Sequence, residues 1–203
     1  MARITTTAEL RRLYGEPSQI VLDKEIDRLD RHCRTLLSLA SYYVIASRGA
    51  DGYCDATPRG DAAGALHIAD DRTLVLPDWP GNRRLDTLTN LLADPAIGLL
   101  FVIPGLRETL RINGAAEVRD DEDLRAVFET NGKRPATVIV VHVRQAYIQC
   151  GKASIRAGLW DPSTWPDRSA IPPITDVLRD HARLKEDVLT AEDLEGAYRD
   201  TLY

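Results

Sequence analysis

Apolar residues recur at intervals of three and four through 23–39 (Ile26, Leu29, Cys33, Leu36, Leu37 and then Ala40). Lys24, Asp27, Arg28, Asp30, Arg31 and Arg34 fill the other face, so a surface helix is predicted there. A shorter helix over 7–13 precedes it, closed off by Pro17. From Tyr42 the pattern changes to short runs between turn residues. Strands over 42–47 and 53–57 flank Gly49-Ala50-Asp51-Gly52 and read as a hairpin, followed by strands over 65–69 and 73–76. The run 97–103 is almost continuously apolar and reads as a strand buried on both faces. Another strand covers 109–118, with Gly114 as a bulge or a point of close approach. The most strand-like run is 137–143, which continues through Ala146, Tyr147 and Ile148.

Helical patterns lie between and after these strands. One runs from Asn82 to Leu92, with Leu85, Leu88, Leu91 and Leu92 on one face, before Asp94-Pro95 breaks it. An acidic helix over 120–129 turns Leu124, Val127 and Phe128 inward, and a further helix is expected over 152–160. After a Pro-rich connector, Pro173 suits the first turn of a helix reaching Arg183. Thr190-Ala191-Glu192-Asp193 opens an amphipathic tail with Leu194, Ala197, Tyr198 and Leu202 in the manner of a capping box. Hairpin-sized connections between about six strands do not build a doubly wound sheet. They predict a mainly β protein, a small antiparallel barrel with flanking helices. Three segments are expected: N-terminal helices packed on the barrel (1–40), the barrel itself (41–161), and a connector with C-terminal helices (162–203).

Charge narrows the possible partners. With Lys+Arg 26 against Asp+Glu 31, the formal charge of −5 gives no electrostatic case for nucleic acid or an anionic membrane. The longest apolar run, 96–103, is too short to span a bilayer, and the basic N-terminus has no apolar stretch of the kind a leader needs. Cys33, Cys54 and Cys150 form no C-x-x-C and cannot all pair, so they read as buried small residues in a reducing, cytoplasmic compartment. His32, His67, His142 and His181 show no metal-ligand spacing, and no metal is expected.

The stretch around Leu74–Leu92 carries the candidate chemistry. A strand ends at Pro77, a Pro and Gly turn follows, and Asn82 is placed to cap a helix whose free N–H groups attract an anion. Arg83 and Arg84 then fall in the first turn, where the macrodipole disfavours cations. Two readings remain open from spacing alone: both guanidinium groups grip a phosphate, or both point into solvent. Arg59 follows Pro58 at a strand end and can reach the same side. Trp79 and Trp160 either cover a flat cofactor or simply pack. Several other chemistries drop out. Cys150-Gly151-Lys152-Ala153-Ser154 imitates a phosphate loop but has Ala146 where Gly and Ala153 where Ser or Thr is needed. Neither G-x-S-x-G nor G-x-G-x-x-G occurs.

Four segments in this order resemble the pyridoxamine 5′-phosphate oxidase-like, FMN-binding split-barrel family. They are Asp55-Ala56-Thr57-Pro58-Arg59-Gly60, Leu74-Val75-Leu76-Pro77-Asp78, Gly81-Asn82-Arg83-Arg84, and Asn90-Leu91-Leu92-Ala93-Asp94-Pro95 before an apolar strand. Cys150-Gly151-Lys152 and Leu159-Trp160-Asp161 are similar to one bacterial subgroup of it. The resemblance implies a split β-barrel that binds FMN. Arg83 and Arg84 would hold the phosphate, with Asn82 beside them and Arg59 on phosphate or ring. The backbone of Asp55, Ala56, Thr57 and Pro58 would run along the isoalloxazine, and Leu76, Pro77 and Asp78 would line the ribityl chain. It further implies a homodimer with the site at the subunit interface, where Thr109, Arg111 and Trp160 act across the boundary. Arg59 and Lys152 would stabilise the reduced ring electrostatically. The region 162–203 has no counterpart to the substrate-gripping C-terminus of a true pyridoxamine phosphate oxidase. The implied activity is therefore an FMN-dependent oxidoreductase of unnamed substrate, with no catalytic acid or base specified. The alternatives are a non-catalytic flavin-binding or redox-sensing module, or the same barrel with a deazaflavin or haem.

Overall fold

The computed structural model describes residues 3–185, 190–200 and 202, so the outer bounds of the first and last expected segments lie outside the described residues. Seven antiparallel strands form one sheet: β1 (Tyr42–Arg48), β2 (Cys54–Gly60), β3 (His67–Ile68), β4 (Thr73–Asp78), β5 (Ala96–Val102), β6 (Thr109–Arg119) and β7 (Thr137–Gln149), in the order β2-β1-β5-β6-β7-β4-β3. Its concave side encloses the main core, built from Tyr43, Ile45, Leu74, Leu76, Leu99, Phe101, Leu110, Ile112, Ile139 and Val141. One end is closed by α3 (Arg31–Leu39), whose Cys33 and Leu37 join that core.

Strands β4 and β7 are the ones covered on both faces. Leu74, Leu76, Ile139 and Val141 face the main core, while Val75, Val138 and Val140 pack with Phe128 and Leu124 in a second cluster beside α5 (Glu122–Ala126). The expectation of two-sided burial for β5 needs correction. Ile97, Leu99 and Phe101 are buried, but Gly98, Leu100 and Val102 alternate with them and are only half-buried. A continuous apolar run reports available hydrophobicity, and only the neighbouring layer decides whether both faces are used. Val127, expected inward, is exposed because α5 is one turn shorter than its pattern and the chain leaves the helix there.

The predicted helix over 23–39 is interrupted. A short α2 (Gln19–Asp23) ends before it, Ile26 exchanges both backbone hydrogen bonds with Ala146 of β7 (3.0 and 2.7 Å), and α3 restarts at an N-cap on Asp30, whose side chain accepts from Cys33 N–H at 2.8 Å. Asp30 offers its oxygen to the backbone at the position where a helix must begin, and that local bond outweighs continued periodicity. Helix α1 (Thr7–Tyr14) starts with the complete Thr6–Glu9 capping box. Beyond β7, α6 (Lys152–Arg156) is shorter than expected because the chain turns through positive φ at Gly158. Helices α7 (Ile174–Ala182) and α8 (Ala191–Asp200) follow, the latter opened by the Thr190–Asp193 box. Among the cysteines only Cys33 is buried, its thiol pushed up to about 11 by desolvation. Cys54 and Cys150 are exposed, which corrects the reading of all three as interior residues.

Helix α4 (Asp86–Ala93) sits on the β1–β2 hairpin through polar contacts. Buried Asn90 donates from Nδ2 to Ser47 Oγ (3.1 Å) and Asp55 Oδ2 (2.7 Å), and Thr87 Oγ1 donates to Thr57 Oγ1 (3.2 Å). Replacing Asn90 by alanine leaves the buried Ser47 hydroxyl without its donor. Urea unfolding should report a loss of about 1–3 kcal/mol for that variant.

Candidate functional site

A cavity of about 760 Å³ opens where the end of β2, the end of β4 and the start of α4 converge. β2 and β4 stand on opposite sides of the sheet order, yet Arg59 of β2 pairs with Asp78 of β4 at 3.1 Å, so the sheet curls until these two ends meet. Tyr43 lies buried in the wall, and its hydroxyl is pushed upward in pKa by desolvation. Burial likewise lifts the Asp78 carboxyl above the ordinary carboxylate range, against the pull of the Arg59 guanidinium.

The loop between β4 and α4 supplies the rest. Pro80 and Gly81 turn the chain after the strand's last residue, Asp78, and Asn82 Oδ1 accepts from Arg84 N–H at 3.1 Å. Arg83 and Leu85 both adopt left-handed backbone, with φ of 63° and 59°. Each such residue without glycine costs about 1–2 kcal/mol, and strain of this kind collects at binding sites. Asn82 is therefore not the helix cap. Leu85 holds that position, the helix begins at Asp86, and Arg83 and Arg84 precede the first turn rather than occupying it. The acidic first-turn residue suits the macrodipole, and Arg84 Nε pairs with Asp86 Oδ2 at 2.8 Å. The Arg83 side chain has no hydrogen-bond or ion-pair partner among the described residues.

Of the residues singled out in the sequence, Thr57, Pro58, Arg59, Pro77, Asp78, Asn82, Arg83 and Arg84 line this one cavity, together with Trp79. The others lie elsewhere in the chain. Asp55 is exposed and engaged by Asn90, Ala56 is exposed, and Leu76 is wholly buried in the main core. Arg111 lies over the Tyr147 ring at 5.8 Å, Trp160 Nε1 donates to Leu106 C=O at 2.8 Å, and neither these two nor Thr109 and Lys152 reach the cavity wall. Sequence reasoning missed Tyr43, Leu85, Thr137 and Leu202, which also line it. Thr137 matters most, because its Oγ1 is buried at the wall with no hydrogen-bond partner. No local pattern marks it, since β7 reaches the cavity only through its pairing with β4.

Arg83 without a partner among the described residues, Arg59 and Arg84 each held by a carboxylate, and an unpartnered hydroxyl fit an anionic, polar-tailed ligand of cofactor size. The family model described as pyridoxamine 5′-phosphate oxidase matches residues 29–150, more than half of the chain. The chain belongs to the pyridoxamine 5′-phosphate oxidase family. Membership accounts for the mainly antiparallel split barrel with flanking helices. Among solved structures, a variant of HupZ from Group A Streptococcus is similar at 17% identity and a TM-score of 0.50, over 60% of this chain and 99% of that one. General Stress Protein 26 from Bacillus anthracis matches at 14% identity and 0.43, over 58% and 93%, and HutZ, the haem storage protein from Vibrio cholerae, at 9% and 0.39, over 60% and 94%. At these identities the HupZ likeness speaks to fold alone. A search of curated proteins finds no match. No helix among the described residues is long and apolar enough to cross a membrane, and none of their His, Cys, Asp and Glu side chains cluster as a metal site.

Proposed function

We propose that the cavity binds FMN and that the protein is an FMN-dependent oxidoreductase working as a homodimer. The observation that carries this reading is the convergence of Arg59, Arg83 and Arg84 on one cavity of about 760 Å³. In a chain of net charge −5, the three guanidinium groups share this cavity with Asp61, Asp78 and Asp86, and Arg83, which no carboxylate engages among the described residues, is the local device for an anion. Arg83 and Arg84 hold the phosphate, Thr57, Pro58, Pro77 and Asp78 flank the ribityl chain and ring, and Thr137 Oγ1 supplies a polar contact to the ligand. When bound, FMN supplies hydride or electron transfer at its isoalloxazine ring. The chain contributes orientation, exclusion of water by Tyr43, Trp79 and Leu85, and positive charge from Arg59. Thr109, Arg111, Lys152 and Trp160, which do not line the cavity, are assigned to completing the partner protomer's site, and a small-molecule substrate or electron donor occupies the open side.

A haem reading is disfavoured, since among the described residues the cavity lining offers iron no His, Cys or Met, and its Tyr43 hydroxyl is held protonated by burial. The test is the absorbance spectrum of freshly purified protein and identification of whatever heat releases. Two visible flavin bands and stoichiometric FMN are expected. A Soret band, or a colourless protein that refuses added FMN, would overturn the reading. Reduction by a nicotinamide donor followed by fast reoxidation is the expected behaviour of an enzyme. Bound FMN that resists every donor points instead to a carrier or sensor.

A further inference from the structure

Helix α4 anchors one end of the loop that bears Arg83 and Arg84, and β2 bears Arg59, so the seat of α4 on the β1–β2 hairpin sets the spacing of the cavity's arginines. That seat is polar at its centre. Asn90, only 8% exposed, donates twice from its amide nitrogen, to Ser47 Oγ on β1 at 3.1 Å and to Asp55 Oδ2 on β2 at 2.7 Å. Ser47 and Asp55 stand directly opposite each other in the hairpin, so one amide group spans both strands. About one turn nearer the start of the helix, Thr87 Oγ1 donates to Thr57 Oγ1 at 3.2 Å. The hairpin turn leaves room for the other end of the amide: a Cβ on Gly49 would come 3.1 Å from Asn90 Oδ1. The Asp55 carboxylate in turn acts electrostatically on the Arg84 guanidinium, alongside Asp86.

We propose that Asn90 is a positioning residue for the phosphate end of the FMN site, an inference that rests on the FMN reading. By fastening α4 to both strands of the hairpin, its amide fixes the first turn of the helix, and with it Arg83 and Arg84, relative to Arg59. The loop cannot supply that precision itself. Residues 79–85 form neither helix nor strand, and Arg83 and Leu85 are held in left-handed backbone, so the elements at the two ends of the loop place its arginines. Apolar contact is not enough either. Leu91 and Leu88 hold α4 against the core, but such contact is non-directional and lets a helix slide, whereas hydrogen bonds of fixed angle set its register. Neither Asn90 nor Asp55 lines the cavity, so both act on a ligand only through the arginines they place. Loss of the clamp therefore weakens a ligand to the extent that it uses its phosphate.

The test titrates the full chain with FMN and with riboflavin, which has the same ring and ribityl chain but no phosphate, and follows flavin fluorescence. Asn90→Asp sets a second carboxylate against Asp55 and should weaken FMN about tenfold, while riboflavin stays within about twofold. The double variant Asn90→Asp/Asp55→Asn exchanges amide and carboxylate between helix and strand. It restores the bond and should return FMN affinity to within about threefold of wild type. Asp55 is exposed, so a second pair of variants makes the test independent of how those at Asn90 fold. Asp55→Ala and Asp55→Asn lose the same charge, but only the latter keeps an acceptor for Asn90, so it should bind FMN more tightly than Asp55→Ala and riboflavin equally well. Equal FMN affinities across the series, or losses shared equally by FMN and riboflavin, would overturn the positioning role and leave the FMN reading standing. A wild type that binds no FMN would overturn both.

Discussion

Alanine at both Arg83 and Arg84 is expected to strip the protein of FMN while leaving it folded. Each arginine provides charge-assisted hydrogen bonds to phosphate at about 1.5–3 kcal/mol, so the double variant should lose about 10²–10⁴-fold in affinity. The fold has little at stake in either side chain. Arg84 makes an exposed pair with Asp86, of a kind typically contributing about 0–1 kcal/mol, and Arg83 is exposed in left-handed backbone. Thermal unfolding should therefore move by a few degrees at most, while equilibrium dialysis or flavin fluorescence reads the loss. Stoichiometric FMN in the double variant would sink the cradle.

Gly114→Ala should give the largest loss of stability. β6 and β7 pair over eleven residues of β6, and their register shifts between Asn113 and Gly114, where Asn113 faces Gln145 but Gly114 faces Val143, so Arg144 is the extra residue of a bulge on β7. A Cβ on Gly114 would lie 2.2 Å from the His142 backbone oxygen and 3.0 Å from its carbon. A backbone carbonyl cannot rotate aside as a side chain can, so the two strands must separate at the middle of the longest pairing in the sheet. We expect a cost at or above the upper end of the about 1–3 kcal/mol typical of overpacking, read from the urea midpoint. Gly81→Ala is the control. Its Cβ would meet nothing within 4 Å, and stability should stay within about 0.5 kcal/mol. Equal midpoints for the two variants would refute the close approach.

The same two sites show how far local sequence reaches. Gly114 was legible as a bulge because a glycine inside an alternating strand has few other uses, although the atom it avoids belongs to a residue 28 positions on. The β1–β2 hairpin, β7 and the capping box at Thr190 were legible for the same reason: turn residues, periodicity and side-chain caps act within a few residues. The start of α4 was misplaced by four residues. Asn82 has the chemistry of a cap, but its oxygen serves the Arg84 N–H, and the left-handed turn at Arg83 and Leu85 has no signature in non-glycine residues. Leu76 and Pro77 are adjacent, yet one is core and the other cavity wall, because strand alternation assigns faces only once the sheet's curvature is known.

What the sequence by itself determined is the strands and most of the helices, the mainly antiparallel sheet and the basic pair after β4, since these follow from interactions between near neighbours. Only the tertiary structure decided that Arg59 and Asp78 meet, that Thr137 Oγ1 is buried at their cavity without a partner, and that β4 and β7 rather than β5 are covered on both faces. Those outcomes depend on the sheet curling until distant strand ends touch, and the energy of that closure is spread over the whole core rather than written at any one position.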